Sequence, residues 1–198
     1  DLKGQVQDVT AALQWIFDHI HQYVGDSEQI SVTGDSAGAQ LAFLVCAASA
    51  NEAYRRSYEI TSLSKPIKAL GLTCPVSCLH EMAKSQDEMT REWMQVLYGG
   101  EPEQSSLWNC SDYADILTDC KELPSIYILT TKGDQKYYRQ SLALHDLMNR
   151  KQIEHVYREW ESMENKDLGH VFNVLYPACQ DSRAANQEMV YFFLNVRR

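Results

Sequence analysis

The pentapeptide Gly34-Asp35-Ser36-Ala37-Gly38 sits between two stretches of opposite character, and the rest of the chain has to fold around it. Upstream, Gln29-Ile30-Ser31-Val32-Thr33 follows the turn-like Gly25-Asp26-Ser27 and reads as a short strand. Downstream, Leu41-Ala42-Phe43-Leu44-Val45-Cys46-Ala47-Ala48 is too long and too alanine-rich for a strand and reads as helix. A strand that enters a helix through G-x-S-x-G makes a sharp, strained turn with the serine hydroxyl exposed, a nucleophile elbow. Gly34 and Gly38 are expected to pass so close to each other that a Cβ on either would clash. Glycine is near 7% of residues, and with serine taken as similar this pattern arises by chance in about one chain in fifteen of this length. The flanks and the residues that follow must therefore decide its meaning.

The rest of the chain alternates strand and helix. Residues 3–23 read as an amphipathic helix with Val6, Val9, Leu13, Ile16, Phe17 and Ile20 at three- and four-residue steps. His19 and His21, two apart, point in different directions on it and cannot share a metal there. Residues 51–64 are polar and read as a loop with an extended helix end, and residues 66–73 as the next strand. Met82, Met89, Trp93 and Leu97 fall at helical steps up to Gly99-Gly100, a stripe expected to face the core or to wall a pocket. Residues 101–123 look irregular, anchored by Trp108 and Tyr113. Ser125 to Thr131 is the clearest strand and runs into Gly133-Asp134. A helix follows over 138–150 with Leu142, His145 and Met148 on one side, then a strand over 155–160 and a charged loop to Gly169-His170. The last helix, about 182–196, turns Met189, Phe192, Phe193 and Val196 inward. This order predicts an α/β fold, one domain over residues 1–198 with a parallel sheet flanked by helices.

Charge and composition exclude other classes. A net charge of −9 with no basic run argues against binding a nucleic-acid backbone. The longest apolar run, Leu41 to Ala50, is too short to span a membrane. The six cysteines are scattered, so reduced and partly buried thiols are expected. Cys74 and Cys78 lack a second Cys or His pair at zinc spacing, so no metal is expected. Asn109-Cys110-Ser111 matches a glycosylation sequon. The sequence opens at Asp1 with neither a methionine nor an apolar signal segment, which reads as cytoplasmic.

In a parallel sheet, functional groups gather beyond the carboxyl ends of the strands. Ser36, Asp134 and His170 each lie just past the end of a different predicted strand, in the order Ser…Asp…His. That order assigns Ser36 as nucleophile and His170 as the base that takes its proton. Asp134 then holds the imidazole, and the Ala37 N–H at the helix start donates to an oxyanion. Competing residues are Glu164 and Asp167, which share a loop with His170 and could orient it. Asp115 and Asp119 precede a strand and lie at the wrong end. His80 comes before every candidate acid but Asp35, His145 reads as a partly buried helix residue, and Asp35 as a solvated neighbour of the serine.

These segments resemble a known family. Gly34-Asp35-Ser36-Ala37-Gly38 resembles the serine motif of the hormone-sensitive-lipase-like esterases, a branch of the α/β-hydrolase superfamily. Leu123-Pro124, the strand after it and Asp134 resemble their acid segment, and Gly169-His170-Val171-Phe172 their His-x-Phe segment. The helix carrying Asp8, Ala11, Ala12 and Trp15 is similar to the one before their nucleophile strand. The resemblance implies hydrolysis of small carboxylic esters, short-acyl or acetyl, without metal or organic cofactor. It differs in two places: Gln135-Lys136-Tyr137 follows the acid where the family has a Pro-Leu-like continuation, and Met163 to Asp167 lengthens the loop before His170. The family's His-Gly-Gly oxyanion loop has no counterpart here. By the same resemblance the four strands are the second half of an eight-stranded sheet, so the chain is expected to be the carboxyl-terminal portion of a longer hydrolase. The strand at Ile30 is then an open edge, which an N-terminal helix or pairing in a homodimer would cover. The competing functions are an inert interaction module of the same fold and a serine peptidase.

Overall fold

The structure, a computed structural model, describes residues 1–120, 122–164 and 166–196. Its elements are α1 (Leu2–His19), β1 (Ser31–Asp35), α2 (Ala37–Ala50), α3 (Glu52–Tyr58), β2 (Ala69–Thr73), α4 (Leu79–Ala83) and α5 (Glu88–Tyr98), then α6 (Tyr113–Asp119), β3 (Ser125–Thr130), α7 (Tyr138–Arg150), β4 (His155–Glu159), α8 (Phe172–Leu175) and α9 (Gln180–Asn195). The chain divides into two compact units. One comprises Asp1–Glu28, Leu44–Pro66 and Ser77–Leu123, the other Gln29–Phe43, Ile67–Val76 and Pro124–Arg198.

The second unit holds the sheet, in the order β1-β2-β3-β4 with every neighbouring pair parallel. β2 is buried along its whole length and β3 at every residue but its first, as expected of inner parallel strands. β1 and β4 are the edges among the described residues and are only partly buried. The register pairs Asp35 with Thr73, Thr73 with Leu129 and Thr130 with Glu159, so all four carboxyl ends finish in step.

Helix α9 packs on this sheet. Ala185 and Met189, one turn apart, bury against Tyr127 and Leu129, which alternate on one face of β3, together with Leu168 and Phe172. Phe192 and Phe193 border this cluster half-buried, as their spacing predicted. In α7 the buried line is Ser141, Leu144 and Met148, so Met148 faces inward while Leu142 is turned outward. Leu142, His145 and Met148 are spaced by threes alone, which drifts about 120° around the helix, whereas the observed steps of three and four stay on one side.

The first unit is helical. Asp1 caps α1 by accepting from the Gly4 N–H, and Leu2, Val6, Thr10, Leu13 and Phe17 form its buried line. Thr10 belongs to that line because its hydroxyl donates to the Val6 carbonyl and needs no water. The last part of the predicted helix tightens into a 3-10 turn over Ile20–Tyr23. A loop with an extended helix end is expected at residues 51–64, and there the loop is preceded by a separate helix, α3. Asn51 starts it by accepting from the Ala53 and Tyr54 N–H groups. Two helices, not one, occupy residues 79–98, and the predicted Met–Trp stripe is wrong in phase. Met89 and Trp93 are 54% and 51% exposed, whereas Met94 and Tyr98 are buried. Tyr98 is drawn inward because its hydroxyl hydrogen-bonds Ser111. Gly99 ends α5 in the left-handed region. Residues 101–120 hold two 3-10 turns and α6, which Asp112 caps; Tyr113 is buried as predicted. All six cysteines are free thiols, with Cys46, Cys74, Cys110 and Cys120 buried. No helix among the described residues is long and apolar enough to cross a membrane.

One buried charge organises the approach to α9. Asp181, in its first turn, accepts from the Trp160 indole, the Ser162 hydroxyl and the Met163 N–H. Burial pushes its carboxyl up, and these three donors outweigh that, leaving it below the usual carboxylate range. A depressed folded value stabilises above the unfolded one and is lost as pH falls through the folded value. Asp181→Ala is expected to cost about 3 kcal/mol at neutral pH, read by urea unfolding. The gap should narrow by about pH 3, where the unfolded chain already binds the proton that the folded carboxylate resists. A pH-independent difference would show that the charge is not what holds this turn.

Candidate active site

The candidate residues all lie in the second unit, beyond the carboxyl ends of its strands. Ser36 follows β1 with φ 53°, the left-handed conformation that a strand-to-helix turn demands. Its N–H donates to the Thr73 carbonyl at 2.9 Å, and its own carbonyl accepts from Gln40, which begins the helical ladder, and from Val76. The serine is therefore tied on both sides to the end of β2 and the chain just after it. Ala37 opens α2, and the first N–H groups of a helix have no partner within it.

The two glycines of the pentapeptide are not equivalent. A Cβ built on Gly34 would stand 2.3 Å from the Gly38 carbonyl oxygen and 2.7 Å from the Ala39 nitrogen. One built on Gly38 would meet nothing within 4 Å. The expectation that both positions exclude a side chain is thus corrected: the crowding is one-sided, because the Gly38 backbone presses on Gly34 while the Cα of Gly38 faces open space.

Asp134 and His170 are brought into direct contact. His170 Nδ1 and Asp134 Oδ2 lie 2.8 Å apart. The other carboxylate oxygen, Oδ1, accepts from the Tyr137 N–H at 3.0 Å and the Lys136 N–H at 3.3 Å. Asp134 is 1% exposed, while the His170 side chain keeps 30% of its surface open. The acid is thus inside and the imidazole reaches outward. The Tyr137 ring lies 4.9 Å from the imidazole, centroid to centroid. Gly133 makes the approach possible: a Cβ there would come within 2.2 Å of the Leu168 carbonyl oxygen, two residues before His170.

The competing residues have other surroundings, although the Asp167 carboxylate lies against Gly133. Glu164 is an exposed partner of Lys166, and Asp167 is exposed in the same loop; Asn165, within the lengthened segment, lies outside the described residues. His145 is half-buried as expected, and hydrogen-bonds His155 at 2.8 Å beside the start of β4, the opposite end of the sheet from His170. Burial and the neighbouring His155 both hold His145 below the usual histidine range. In the first unit, His80 stacks on Trp108 at 3.7 Å and bonds its carbonyl, with Asp115 at 3.5 Å. Burial raises the Asp115 carboxyl. Asp119 accepts from the Tyr54 hydroxyl.

Sequence reasoning missed the residues that join the three loops. Thr73 receives the Ser36 N–H on its carbonyl and the Asn173 amide on its hydroxyl, at 3.5 Å. Cys74 and Val171 take positive φ of 44° and 47° without being glycine. The rule that selected Ser36 also selects Thr73 and Cys74, since they close β2. Among the described residues, the donors that could hold a metal together are Cys74, Asp134 and His170, whose ligand atoms lie within 4.8 Å of one another.

Comparison with known proteins agrees with this architecture. A model of the alpha/beta hydrolase fold family matches residues 1–173. The chain belongs to that family. It is similar to esterase B from Lactobacillus rhamnosis, at 25% identity and a TM-score of 0.88, over 99% of this chain and 62% of that one. The same esterase inhibited with a C4-C4 SN3 tributyrin phosphonate gives 26% identity and 0.89, over 99% and 61%. The carboxylesterase Cest-2923 from Lactobacillus plantarum WCFS1, at 14% identity and 0.69 over 94% and 66%, shares the fold. The chain thus spans about 62% of the length of esterase B. A search of curated proteins gave no match.

The one-sided crowding has a measurable consequence. Gly34→Ala is expected to destabilise the fold by at least about 3 kcal/mol, as backbone must move to admit the methyl. Gly38→Ala, which replaces glycine in the first turn of α2, is expected to be neutral or stabilising by up to about 1 kcal/mol. Equal losses in thermal unfolding of the two variants would refute the asymmetry.

Proposed function

We propose that this chain carries the catalytic machinery of a serine carboxylesterase acting on short-acyl esters through an acyl-enzyme. The observation that carries the reading is the 2.8 Å Asp134–His170 pair, with the acid buried and the imidazole partly open, at the sheet edge where Ser36 occupies an elbow.

His170 Nδ1 donates to Asp134, which leaves Nε2 as the basic nitrogen. Nε2 removes the Ser36 proton as Oγ attacks the ester carbonyl. The resulting oxyanion accepts from the Ala37 N–H at the positive end of α2. Collapse of the tetrahedral intermediate expels the alcohol, which takes the proton from the imidazolium, and acylates Ser36. Water, activated by the same nitrogen, then releases the acid and restores the hydroxyl. Asp134 stabilises the imidazolium in both halves. The C4 phosphonate bound by esterase B motivates butyrate esters as the first substrates to try.

With p-nitrophenyl butyrate, Ser36→Ala should lower turnover by about 10⁴ or more and abolish covalent labelling by a fluorophosphonate. Retained labelling would rule out Ser36. Asp134→Asn should lower kcat by about 10⁴ while leaving the fold intact, because the imidazole loses its enforced tautomer. If that variant is nearly wild type while Glu164→Gln or Asp167→Asn is crippled, the acid is elsewhere. A chain that folds cooperatively yet shows no labelling and no turnover on any p-nitrophenyl ester would favour the inert-module reading.

A further inference from the structure

Asp134 meets His170 through one hydrogen bond, Nδ1 to Oδ2, and a single bond fixes one atom of the ring without fixing its plane. The imidazole can still swing about that contact, and the 30% of its side-chain surface that faces water does nothing to stop it. Tyr137 stands where the swing has to be stopped. Its ring lies 4.9 Å from the imidazole, centroid to centroid, with the two planes 47° apart. It belongs to Gln135-Lys136-Tyr137, the segment in which this chain differs from the pattern it otherwise resembles.

The Tyr137 ring is itself held in place. The residue's N–H donates to Asp134 Oδ1 at 3.0 Å, and its carbonyl accepts from the Ser141 N–H at 3.0 Å and from the Ser141 hydroxyl at 3.4 Å. The residue is 8% exposed, and the Lys136 ammonium lies 5.2 Å from the ring centroid, a cation–π contact. We propose that Tyr137 is a positioning residue, its ring closing one side of the His170 imidazole so that Nδ1 stays on Asp134 and Nε2 stays free for the serine. An aromatic side chain suits this task, because tilted ring pairs attract beyond the area they bury and present a flat surface to the neighbouring ring. The role rests on the esterase reading for its kinetic consequence, but the order that the ring imposes on the imidazole holds whether or not esters are substrates.

The N–H that grips Asp134 belongs to the backbone and survives any side-chain replacement at position 137, so substitutions there read the ring alone. Tyr137→Phe keeps the ring. Tyr137→Leu removes it but leaves an apolar side chain, and Tyr137→Met is a second ringless variant. Two measurements are made on the full chain at one pH. One is kcat and KM for p-nitrophenyl butyrate. The other is the far-downfield proton NMR signal of a ring N–H bonded to a carboxylate, assigned to His170 by its loss in His170→Gln. The ringless variants are expected to lower kcat about tenfold, the size of one aromatic contact, with KM little changed. Their His170 signal should broaden, because a swinging ring exchanges its proton with water. Tyr137→Phe is expected to keep the signal sharp and kcat within about twofold of wild type. A ring that serves only as core packing would lower the melting temperature of the ringless variants while kcat and the signal stay as in wild type, and that result overturns the proposal. A raised KM with kcat retained would make Tyr137 a substrate contact and overturns it as well. So does loss of the fold in both ringless variants, which makes the ring a structural requirement, or absence of the signal from the wild type, which shows an imidazole that is not held. If the wild type has no Ser36-dependent turnover, the esterase reading fails. The NMR signal alone then decides the role of Tyr137, broadening in a ringless variant supporting it and a sharp line overturning it.

Discussion

A carboxylate with almost no exposed surface has to be fully engaged, and Asp134 dictates much of what surrounds it. Its two oxygens divide the work. Oδ1 takes two backbone N–H groups from its own turn, which fixes the carboxylate plane, and Oδ2 is left to face His170. That division requires the turn after β3 to lie flat against the chain before His170, hence the glycine at position 133 under the Leu168 carbonyl. It also explains why the histidine loop is anchored at both ends. Asp181 gathers the loop's start, and Asn173, just beyond His170, reaches back to Thr73.

The same edge of the sheet concentrates unusual backbone. Ser36, Cys74 and Val171 are three of six non-glycine residues with positive φ among those described. Such conformations persist only where neighbours over-determine them. Here the sheet's own hydrogen bonding continues past the strands: Ser36 donates to Thr73, Cys74 to Leu129 and Trp160 to Thr130. β2 thus hands an acceptor to the residue that leaves β1, and β3 hands one to each of the residues that leave β2 and β4. The stiffness of the parallel sheet is carried directly into the turns that bear the functional groups.

Most of the strand–helix order was legible, because apolar periodicity and the Gly-Asp pairs at or just after β1 and β3 mark where those strands stop. The places of Ser36 and Asp134 past strand ends were legible for the same reason, whereas His170 follows β4 only after the charged loop. What failed depended on phase or on single hydrogen bonds. Met89 and Trp93 are apolar at helical spacing, but the hydroxyl of Tyr98 has a buried partner and turns α5 so that its other face is covered. Helix α3 has only two apolar anchors, Tyr54 and Tyr58 one turn apart, in an otherwise polar stretch, and Asn51 satisfies its first N–H groups. Leu142 lost its place to Ser141, whose small side chain hydrogen-bonds its own helix at the Tyr137 carbonyl. Cys74 stood at the right end of a strand, but nothing in its type announced a left-handed backbone.

The difference between the two glycines of the pentapeptide also bears on how such chains are recognised. Position 34 is an absolute steric requirement, so it carries nearly all the information that a glycine can carry. Position 38 is free to drift, since its Cα looks into open space at the start of a helix that would accept alanine readily. A search demanding glycine at both places discards chains with this same turn. A pattern weighted toward the first glycine, the serine and the strand–helix flanks follows the geometry, and it keeps those chains in view.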